Sequence, residues 1–318
     1  MARTGLAIWC NVSFEAGAAE ILRAGTAKHQ FTFANGDNAS LALASADIAL
    51  GQPDPEAVMA SSRLQWVHIT SAGYTRYDND EFRNALQSRG AMFTNSSHVY
   101  DEPCAQHVLA MMLALARQLP QSYETQRTDK SWPGGERRAN SYLLNGQTVL
   151  LLGYGAIGRR LVELLAPFKM NIIAVRRNAQ DAAGVKVITE AALNEVLPLA
   201  DHVVNILPDN SSTMRFVNAQ RLSLCKRGAL LYNVGRGTTV DQEALMRALE
   251  TGHIGAAYLD VTDLEPLLPS HPLWNAPNCF ITPHTAGGHK GEQERLVRHF
   301  LDNLAAFEND TPLQDRVI

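Results

Sequence analysis

The chain has 318 residues, a length that predicts two compact domains rather than one or four. Apolar residues make up 46% and charged residues 19%, an ordinary globular composition that excludes a disordered chain. The 28 Lys and Arg residues against 32 Asp and Glu residues give a net charge of −4. That balance excludes the broad basic surface that binds nucleic acid or anionic membranes, so we expect neither as a partner.

The cysteines indicate the cellular compartment. Cys10, Cys104, Cys225 and Cys279 are widely spaced without a CxxC pair, which argues against a zinc site and a disulfide framework, and we expect no bound metal. The first ten residues hold one basic residue and an apolar run too short for a signal peptide. No run approaches the roughly 18 apolar residues of a membrane span. We therefore expect a cytoplasmic protein.

Short apolar runs alternate with helix-like segments in the first third of the chain. The runs cover residues 6–10, 31–34, 47–50, 66–70 and 91–94. This alternation is typical of βαβ units and predicts a parallel sheet with helices on both faces. The motif Ser71-Ala72-Gly73-Tyr74 directly follows the fourth run, so it is predicted to form a loop at the end of a strand.

A long buried helix is predicted next. Apolar residues recur at helical spacing over residues 101–119, and Pro120 supplies a stop. Residues 121–145 are polar and lack periodicity, so we predict an exposed excursion or an interface arm there.

A second alternating series begins at Gly146. Its predicted strands cover residues 149–152, 172–175, 202–206, 229–233, 256–259 and 279–281, and an amphipathic helix over residues 290–307 follows. The two series predict an α/β protein with two Rossmann-like domains, each a doubly wound parallel sheet.

A glycine-rich turn follows the first strand of this second series. Gly153-Tyr154-Gly155-Ala156-Ile157-Gly158 stands between that strand and a segment with apolar residues at helical spacing. In this strand–GxGxxG–helix context, the first glycine permits the tight turn and the second lets a pyrophosphate approach the backbone. The third allows close packing of helix and strand. The motif predicts dinucleotide binding, and a merely flexible turn is the alternative.

The end of the next strand predicts which dinucleotide is bound. Sites selective for NAD carry an acidic residue about 20 residues beyond the turn, at the ribose 2′-hydroxyl. Here Arg176 and Arg177 occupy that place, eighteen and nineteen residues after Gly158. Guanidinium groups bind a 2′-phosphate, so NADP(H) is the preferred cofactor and NAD(H) stays possible. The alternative is a pair of arginines on an ordinary solvated surface.

At this point the sequence resembles the D-isomer-specific 2-hydroxyacid dehydrogenases, with glyoxylate and hydroxypyruvate reductases as the nearest group. The resemblance extends over nearly the whole chain. Besides the Ser71-Ala72-Gly73 loop and the glycine turn, three motifs carry it: Asn233-Val234-Gly235-Arg236-Gly237, Leu259-Asp260-Val261-Thr262-Asp263-Leu264-Glu265-Pro266 and Thr282-Pro283-His284. Each of the three follows a predicted strand, where ligands bind in open α/β sheets.

The resemblance implies three catalytic residues. Arg236 would orient and polarise a 2-oxo acid. His284 would act as general acid and base, since histidine ordinarily titrates near pH 6.5, and Glu265 would hold its imidazole. Taken singly, Arg236 could be structural, Glu265 a surface acid, and His284 one of ten histidines. Their joint occurrence after successive strands favours the enzyme interpretation.

The resemblance also implies further binding residues. The backbone N–H groups of Ala72 and Gly73 would hold the substrate carboxylate, and Tyr74 would shape the pocket. Asp260 would accept a hydrogen bond from the nicotinamide carboxamide. The cofactor site would also include Leu207, Pro208, Val234 and His284. One departure is Gln106, where relatives often carry an acid, and this weakens any detailed transfer of substrate.

The implied domains are a flavodoxin-like substrate domain over residues 1–100 and 286–318 and a dinucleotide-binding domain over residues 101–285. The chain length predicts no added effector domain. The implied function is NADPH-dependent reduction of a small 2-oxo acid to a D-2-hydroxy acid, in a homodimer. Two alternatives stay open: a dinucleotide-sensing, corepressor-like binding protein without turnover, and an NAD-dependent dehydrogenase.

Overall fold

The computed structural model describes residues 3–34, 39–177 and 184–318. The chain divides into two compact units. The first comprises Met1–Tyr100 and Gly288–Ile318, and the second comprises Asp101–Gly287. The predicted roles of the two parts, substrate binding and dinucleotide binding, stay predictions.

The first unit is built on a parallel sheet of five strands. They are β1 (Ala7–Cys10), β2 (Gln30–Phe33), β3 (Ile48–Gly51), β4 (Trp66–Ile69) and β5 (Met92–Thr94). Their order is β2-β1-β3-β4-β5, and every pair is parallel. The central strands β3 and β4 are buried along their whole length, as expected for strands covered on both faces.

Helices cover this sheet. They are α1 (Ala16–Gly25), α2 (Ala39–Ala44), α3 (Pro55–Ala60), α4 (Asp80–Ser88) and the C-terminal helix α12 (Glu292–Glu308). Asp54 and Asn79 cap α3 and α4 by accepting from backbone N–H groups, which satisfies donors that a helix start leaves free.

The C-terminal helix belongs to the first unit because its aromatic face joins that core. The Trp66 ring is fully buried and stacks on Phe300 and Phe307, with ring centroids 5.3 and 5.5 Å apart. Burial of such large aromatic groups stabilises a fold by roughly 2 to 3 kcal/mol per side chain. The last residues therefore complete a core that the first hundred residues begin.

The second unit contains a parallel sheet of seven strands. They are β6 (Thr148–Leu152), β7 (Asn171–Val175), β8 (Lys186–Ile188), β9 (His202–Asn205), β10 (Ala229–Asn233), β11 (Ile254–Leu259) and β12 (Cys279–Ile281). Their order is β12-β11-β10-β9-β6-β7-β8. From β6 the chain adds β7 and β8 on one side, and it then adds β9 to β12 on the other side, so the strand order reverses between β6 and β9. Such a switch point opens a crevice at the carboxyl ends of the strands, which is the usual ligand position in these folds.

Helices connect and flank these strands. They are α6 (Leu119–Arg127), α7 (Gly134–Asn140), α8 (Ala156–Leu165), α9 (Leu193–Val196), α10 (Ala219–Leu224) and α11 (Gln242–Glu250). The long helix α5 (Ser97–Ala116) leads from the first unit into the second. The largest buried cluster of this unit joins residues of β6, β9 and β10 to α11.

The two parallel sheets confirm the predicted α/β class. The eleven predicted strands all form, with ends that differ from the prediction by at most two residues. One strand was missed, because β8 has three residues, of which the first, Lys186, is exposed.

The segment around Pro120 differs from its prediction. Helix α5 ends at Ala116, where Gln118 adopts a left-handed conformation with φ of 56°, and Pro120 lies in the first turn of α6. Proline suits a first turn because its missing N–H would have no helical partner there. Residues 121–145 are mostly exposed, although Leu144 is buried, and they contain α6 and α7. Neither helix has a buried residue, so the sequence shows no periodic apolar pattern from which they could be predicted.

Within the described ranges, no helix combines the length and the apolar character needed to cross a membrane. Among the same residues, no group of three or more His, Cys, Asp or Glu side chains could hold a metal ion.

Candidate functional site

The glycine turn lies at the switch point of the second sheet. Gly153, with φ of 103°, directly follows β6, and a Cβ there would lie 3.2 Å from the carbonyl oxygen of Ile206, which follows β9. A Cβ on Gly158 would lie 3.0 Å from the Gly153 oxygen. Gly153 therefore forms a tight turn, and Gly158 allows close packing of the backbone.

Gly155 differs from its two neighbours in the motif. A Cβ on Gly155 would meet no heavy atom within 4 Å, so the backbone borders open space. Helix α8 begins at the next residue, Ala156, and no side chain of the described residues caps it. Free N–H groups at a helix start attract anions. The turn therefore has the geometry to hold a pyrophosphate, with Tyr154 buried and Ile157 in the first turn of the helix.

Arg176 and Arg177 follow β7, the neighbour of β6. Leu152 pairs with Val175, so the two arginines begin at the same level of the sheet as the glycine turn. Both are exposed, and neither has an ion-pair partner among the residues that the structure describes. Asn178, the next residue of this cluster, lies outside the described residues. Two exposed guanidiniums at the end of β7 are a suitable anion site.

The loops after β9 and β10 touch through their backbones. A Cβ on Gly235 would lie 2.7 Å from the Leu207 oxygen. The Thr238 hydroxyl, one turn further, donates to Asp209 at 2.8 Å. These contacts bring the loop of Leu207 and Pro208 against the loop that carries Val234, and the predicted lining of the cofactor by these three residues stays a prediction.

Arg236 stands between two glycines. A Cβ on Gly237 would lie 1.9 Å from the carbonyl carbon of Thr262, so the loops after β10 and β11 also make backbone contact. Asn233 Nδ2 and the Thr239 hydroxyl both donate to the Arg236 carbonyl oxygen, at 3.1 and 2.5 Å. The guanidinium is half-buried, and its Nη1 donates to the Gly235 oxygen at 2.7 Å.

Glu265 and His284 form a direct pair. His284 Nδ1 lies 2.7 Å from Glu265 Oε2, and Glu265 Oε1 accepts from the Thr262 N–H at 3.0 Å. His284 has a φ of 54°, and its N–H donates to the Asp260 carbonyl oxygen at 2.8 Å. The imidazole is 51% exposed. With Nδ1 engaged, Nε2 is the ring nitrogen that can exchange a proton with a ligand.

Asp260 has a structural function that the sequence did not predict. Its side chain is nearly fully buried and accepts from the Thr282 hydroxyl at 2.6 Å and from the N–H groups of Thr285 and Ala286 at 2.8 and 3.0 Å. Asp260 thus ties down the loop that carries His284. Its predicted contact with the carboxamide would add to these bonds and stays a prediction.

Cys104 of α5 lies close enough to Arg236 and Asp260 to interact electrostatically with both. Burial, and secondly the Asp260 charge, raise the pKa of the Cys104 thiol to about 12, although Arg236 opposes the shift. The thiol therefore stays protonated at neutral pH and is not a nucleophile. One turn on, His107 stacks on the Tyr258 ring, 5.5 Å between centroids. Gln106, the departure noted in the sequence, is exposed and bonds to Glu102.

The Ser71–Tyr74 loop belongs to the first unit and follows β4. All four residues are half-buried. The Ser71 hydroxyl donates to the Gly73 oxygen at 2.7 Å, and Asn95 Nδ2 donates to the Ala72 oxygen at 2.8 Å. Ala72 and Gly73 therefore use their carbonyl oxygens, not their N–H groups, in these contacts. The Tyr74 ring lies edge-on to Phe93, with centroids 6.3 Å apart.

Comparison with known proteins identifies the relatives of this chain. Residues 109–286 match the family described as D-isomer specific 2-hydroxyacid dehydrogenase, NAD binding domain. A glyoxylate reductase from Thermococcus kodakarensis is 31% identical over 263 residues, which cover 80% of this chain and 77% of that protein.

Two solved structures are similar over nearly the full length. A D-isomer specific 2-hydroxyacid dehydrogenase family protein from Aeromonas salmonicida is 29% identical, with a TM-score of 0.76 and 99% coverage of both chains. A D-isomer specific 2-hydroxyacid dehydrogenase from Xanthobacter autotrophicus, in complex with NADPH and MES, is 25% identical, with a TM-score of 0.82. That alignment covers 99% of this chain and 98% of the other.

Substitution by alanine is expected to have very different effects on stability at Gly237 and at Gly155. Gly237→Ala forces a Cβ into the Thr262 backbone and is expected to lower the free energy of unfolding by about 3 kcal/mol or more. Gly155→Ala meets open space and is expected to change that free energy by about 1 kcal/mol or less. Urea unfolding followed by circular dichroism measures both, and equal losses would contradict the close loop contact.

Proposed function

The chain belongs to the D-isomer-specific 2-hydroxyacid dehydrogenase family, and we propose that it is an NADP(H)-preferring reductase of small 2-oxo acids. Membership confirms the resemblance drawn from the sequence, and the chain is an NAD(P)-dependent enzyme of that family. The proposed substrates are of the glyoxylate and hydroxypyruvate class, and the product is a D-2-hydroxy acid. The Glu265–His284 pair, 2.7 Å apart after successive strands, carries this proposal.

In the proposed reaction His284 donates the proton. Its Nε2–H would give a proton to the carbonyl oxygen of the 2-oxo acid while C2 accepts a hydride, so that the ketone becomes an alcohol. Glu265 accepts the hydrogen bond of Nδ1–H and stabilises the imidazolium before the transfer. The Thr262 N–H fixes the carboxylate of Glu265 in turn, which keeps the ring orientation constant. In the reverse direction the neutral imidazole takes the proton back.

Arg236 is proposed to bind the substrate. Its guanidinium stays positively charged at every relevant pH and would draw electron density toward the ketone oxygen, where negative charge develops. The N–H groups of Ala72 and Gly73 are proposed to hold the carboxylate of the acid, and Tyr74 to border its substituent. The contacts of Ala72, Gly73 and Tyr74 would contribute mainly to the KM of the acid, whereas the contact of Arg236 would also raise kcat.

The residues of the glycine turn fit a dinucleotide, because a Cβ on Gly155 would fill the open space next to the start of α8. When bound, the reduced dinucleotide supplies the hydride that C2 accepts. Gly153, Gly155 and Gly158 would hold the pyrophosphate. Leu207, Pro208 and Val234 are proposed to line the adenosine and ribose, and Asp260 to accept from the carboxamide.

The preference for NADP(H) rests on Arg176 and Arg177. Both guanidiniums are exposed at the end of β7, where NAD-selective sites carry an acid. The Xanthobacter relative, 25% identical, was solved with NADPH. A 2′-phosphate would pair with two cations here, whereas the 2′-hydroxyl of NADH offers them no charge.

Replacement of both arginines tests the cofactor proposal. Arg176→Ala with Arg177→Ala is expected to raise the KM for NADPH by about 10- to 100-fold, because two charged hydrogen bonds are lost, and to leave the KM for NADH within about threefold. Steady-state kinetics at a saturating concentration of 2-oxo acid measures both values. Arg247→Ala removes an exposed arginine of α11 and serves as control. Equal effects on the two nucleotides would refute the preference.

Replacement of His284 tests the chemical step. His284→Ala is expected to lower kcat by about 10²- to 10⁴-fold with the Kd for NADPH unchanged, because only the proton donor is lost. Stopped-flow absorbance at the NADPH band with glyoxylate, hydroxypyruvate and larger 2-oxo acids measures turnover. His253→Ala, at the opposite end of β11, is the control. If wild-type protein binds NADPH and oxidises none of it with any acid, the corepressor-like binding protein becomes the better interpretation.

We also propose a homodimer formed through the α6–α7 segment. Trp132 is 96% exposed, and Leu119, Tyr123 and Leu143 are exposed nearby in sequence. Trp132 and Pro133 border a cavity of about 720 Å³. Exposed apolar side chains of this size are typical of an interface. Light scattering after gel filtration should give twice the chain mass, and Tyr123→Lys with Trp132→Lys should give the monomer. A monomeric wild-type protein would contradict this proposal.

A cytoplasmic location is proposed from the cysteines. All four are free, and Cys10, Cys104 and Cys225 are buried. Unpaired thiols are typical of proteins kept in a reducing compartment. Cell fractionation tests the location, and recovery of the protein outside the cytoplasm would refute it.

A further inference from the structure

In the loop after β4, the carbonyl oxygens of Ser71, Ala72 and Gly73 all accept hydrogen bonds. The Ser96 N–H donates to the Ser71 oxygen at 3.1 Å, and Asn95 Nδ2 donates to the Ala72 oxygen at 2.8 Å. The Ser71 hydroxyl donates to the Gly73 oxygen at 2.7 Å. In a trans peptide the C=O and the following N–H point in opposite directions. These bonds therefore turn the N–H groups of residues 72 and 73 away from the β5–α5 junction.

Asn95 supplies the central one of these bonds from a fixed position. Its side chain is 95% buried. The Asn95 Oδ1 accepts from both the N–H and the hydroxyl of Ser97, at 3.2 and 3.0 Å. The Asn95 backbone N–H donates to the Asp315 oxygen at 3.1 Å, so the C-terminal segment also holds this residue. Because Oδ1 has two donors, the amide cannot flip without loss of both, and Nδ2 stays directed at Ala72.

We propose that Asn95 is a positioning residue, which orients the Ala72 and Gly73 N–H groups for the carboxylate of the substrate. This inference rests on the proposed function, in which those two groups bind the acid. The peptide between Ala72 and Gly73 is the one whose oxygen Asn95 holds, so its N–H, that of Gly73, depends most directly on Asn95. Without this bond, the peptide plane is free to rotate.

The effect of Asn95 should fall on binding of the acid alone. Orientation of donors before binding removes an ordering cost from each encounter with the carboxylate. Asn95 belongs to the first unit, whereas the glycine turn and His284 belong to the second. The Kd for NADPH and the rate of the chemical step should therefore be independent of it.

Two variants separate the hydrogen bond from other effects. Asn95→Asp keeps the shape and both bonds from Ser97, removes the donor to Ala72 and adds a negative charge. Asn95→Ala removes the donor without adding a charge. Asn309→Asp is the control, since Asn309 lies in the same unit and its Nδ2 also donates to a backbone oxygen, that of Ala305 at 2.7 Å.

The expected result is a rise of about tenfold in the KM for the 2-oxo acid in both Asn95 variants. The kcat and the Kd for NADPH are expected to stay within about twofold, and Asn309→Asp is expected to leave the KM unchanged. An increase with Asn95→Asp alone would assign the effect to charge and overturn the inference. A fall in kcat without a change in KM would also overturn it.

A second measurement is independent of turnover. Oxamate is a 2-oxo acid analogue that accepts no hydride, and it can be titrated into protein labelled with ¹⁵N at alanine and glycine, with NADP present. The Ala72 and Gly73 amide signals are expected to shift on binding, with a weaker affinity in both Asn95 variants. Absence of any shift in wild-type protein would overturn the inference even if the enzyme is active. If the signals shift but the wild-type protein turns over no 2-oxo acid, the inference about Asn95 is retained and the proposed function is refuted.

Discussion

Backbone contact between neighbouring loops is the constraint on which the candidate site depends. At the carboxyl edge of the seven-stranded sheet, Gly235 lies against Leu207, and Gly237 lies against Thr262. Any side chain at either glycine would push these loops apart. The loops after β9, β10 and β11 are therefore held together, and Arg236 lies between the two glycines that make these contacts.

Two carboxylates, each with more than one hydrogen-bond partner, fix the position of the His284 imidazole relative to these loops. Glu265 uses one oxygen for the Thr262 N–H and the other for His284 Nδ1. Asp260 accepts from Thr282, Thr285 and Ala286 and so holds the loop on the other side of the ring. Both carboxylates compensate for their removal from water with hydrogen bonds. The orientation of His284 thus follows from the backbone of two strands, although its ring is half exposed.

A net charge of −4 leaves the two proposed anion sites dependent on local charges. The proposed sites for a dinucleotide and a carboxylate use arginines and backbone N–H groups that follow strand ends. At physiological salt the charges more than about 8 Å away are largely screened in solvent. Anion binding therefore depends on the few groups in contact and not on the overall balance.

The sequence by itself determined the strands, the class of fold and the family. Alternating apolar runs, the GxGxxG turn and the arginines after β7 are local patterns, so they can be read without coordinates. Sequence patterns did not predict α6 and α7, because neither helix has a buried residue and so neither has a periodic apolar pattern. They also missed β8, which is only three residues long.

Only the tertiary structure decided which residues support the site. Asn95 contacts the Ala72 oxygen across 23 positions, and Asp260 contacts Ala286 across 26. Gly237 touches Thr262 through its backbone. Such contacts depend on the order of the strands in each sheet, because that order sets which loops are neighbours. An apolar pattern records whether a residue is buried, and it contains no information on what the residue is buried against.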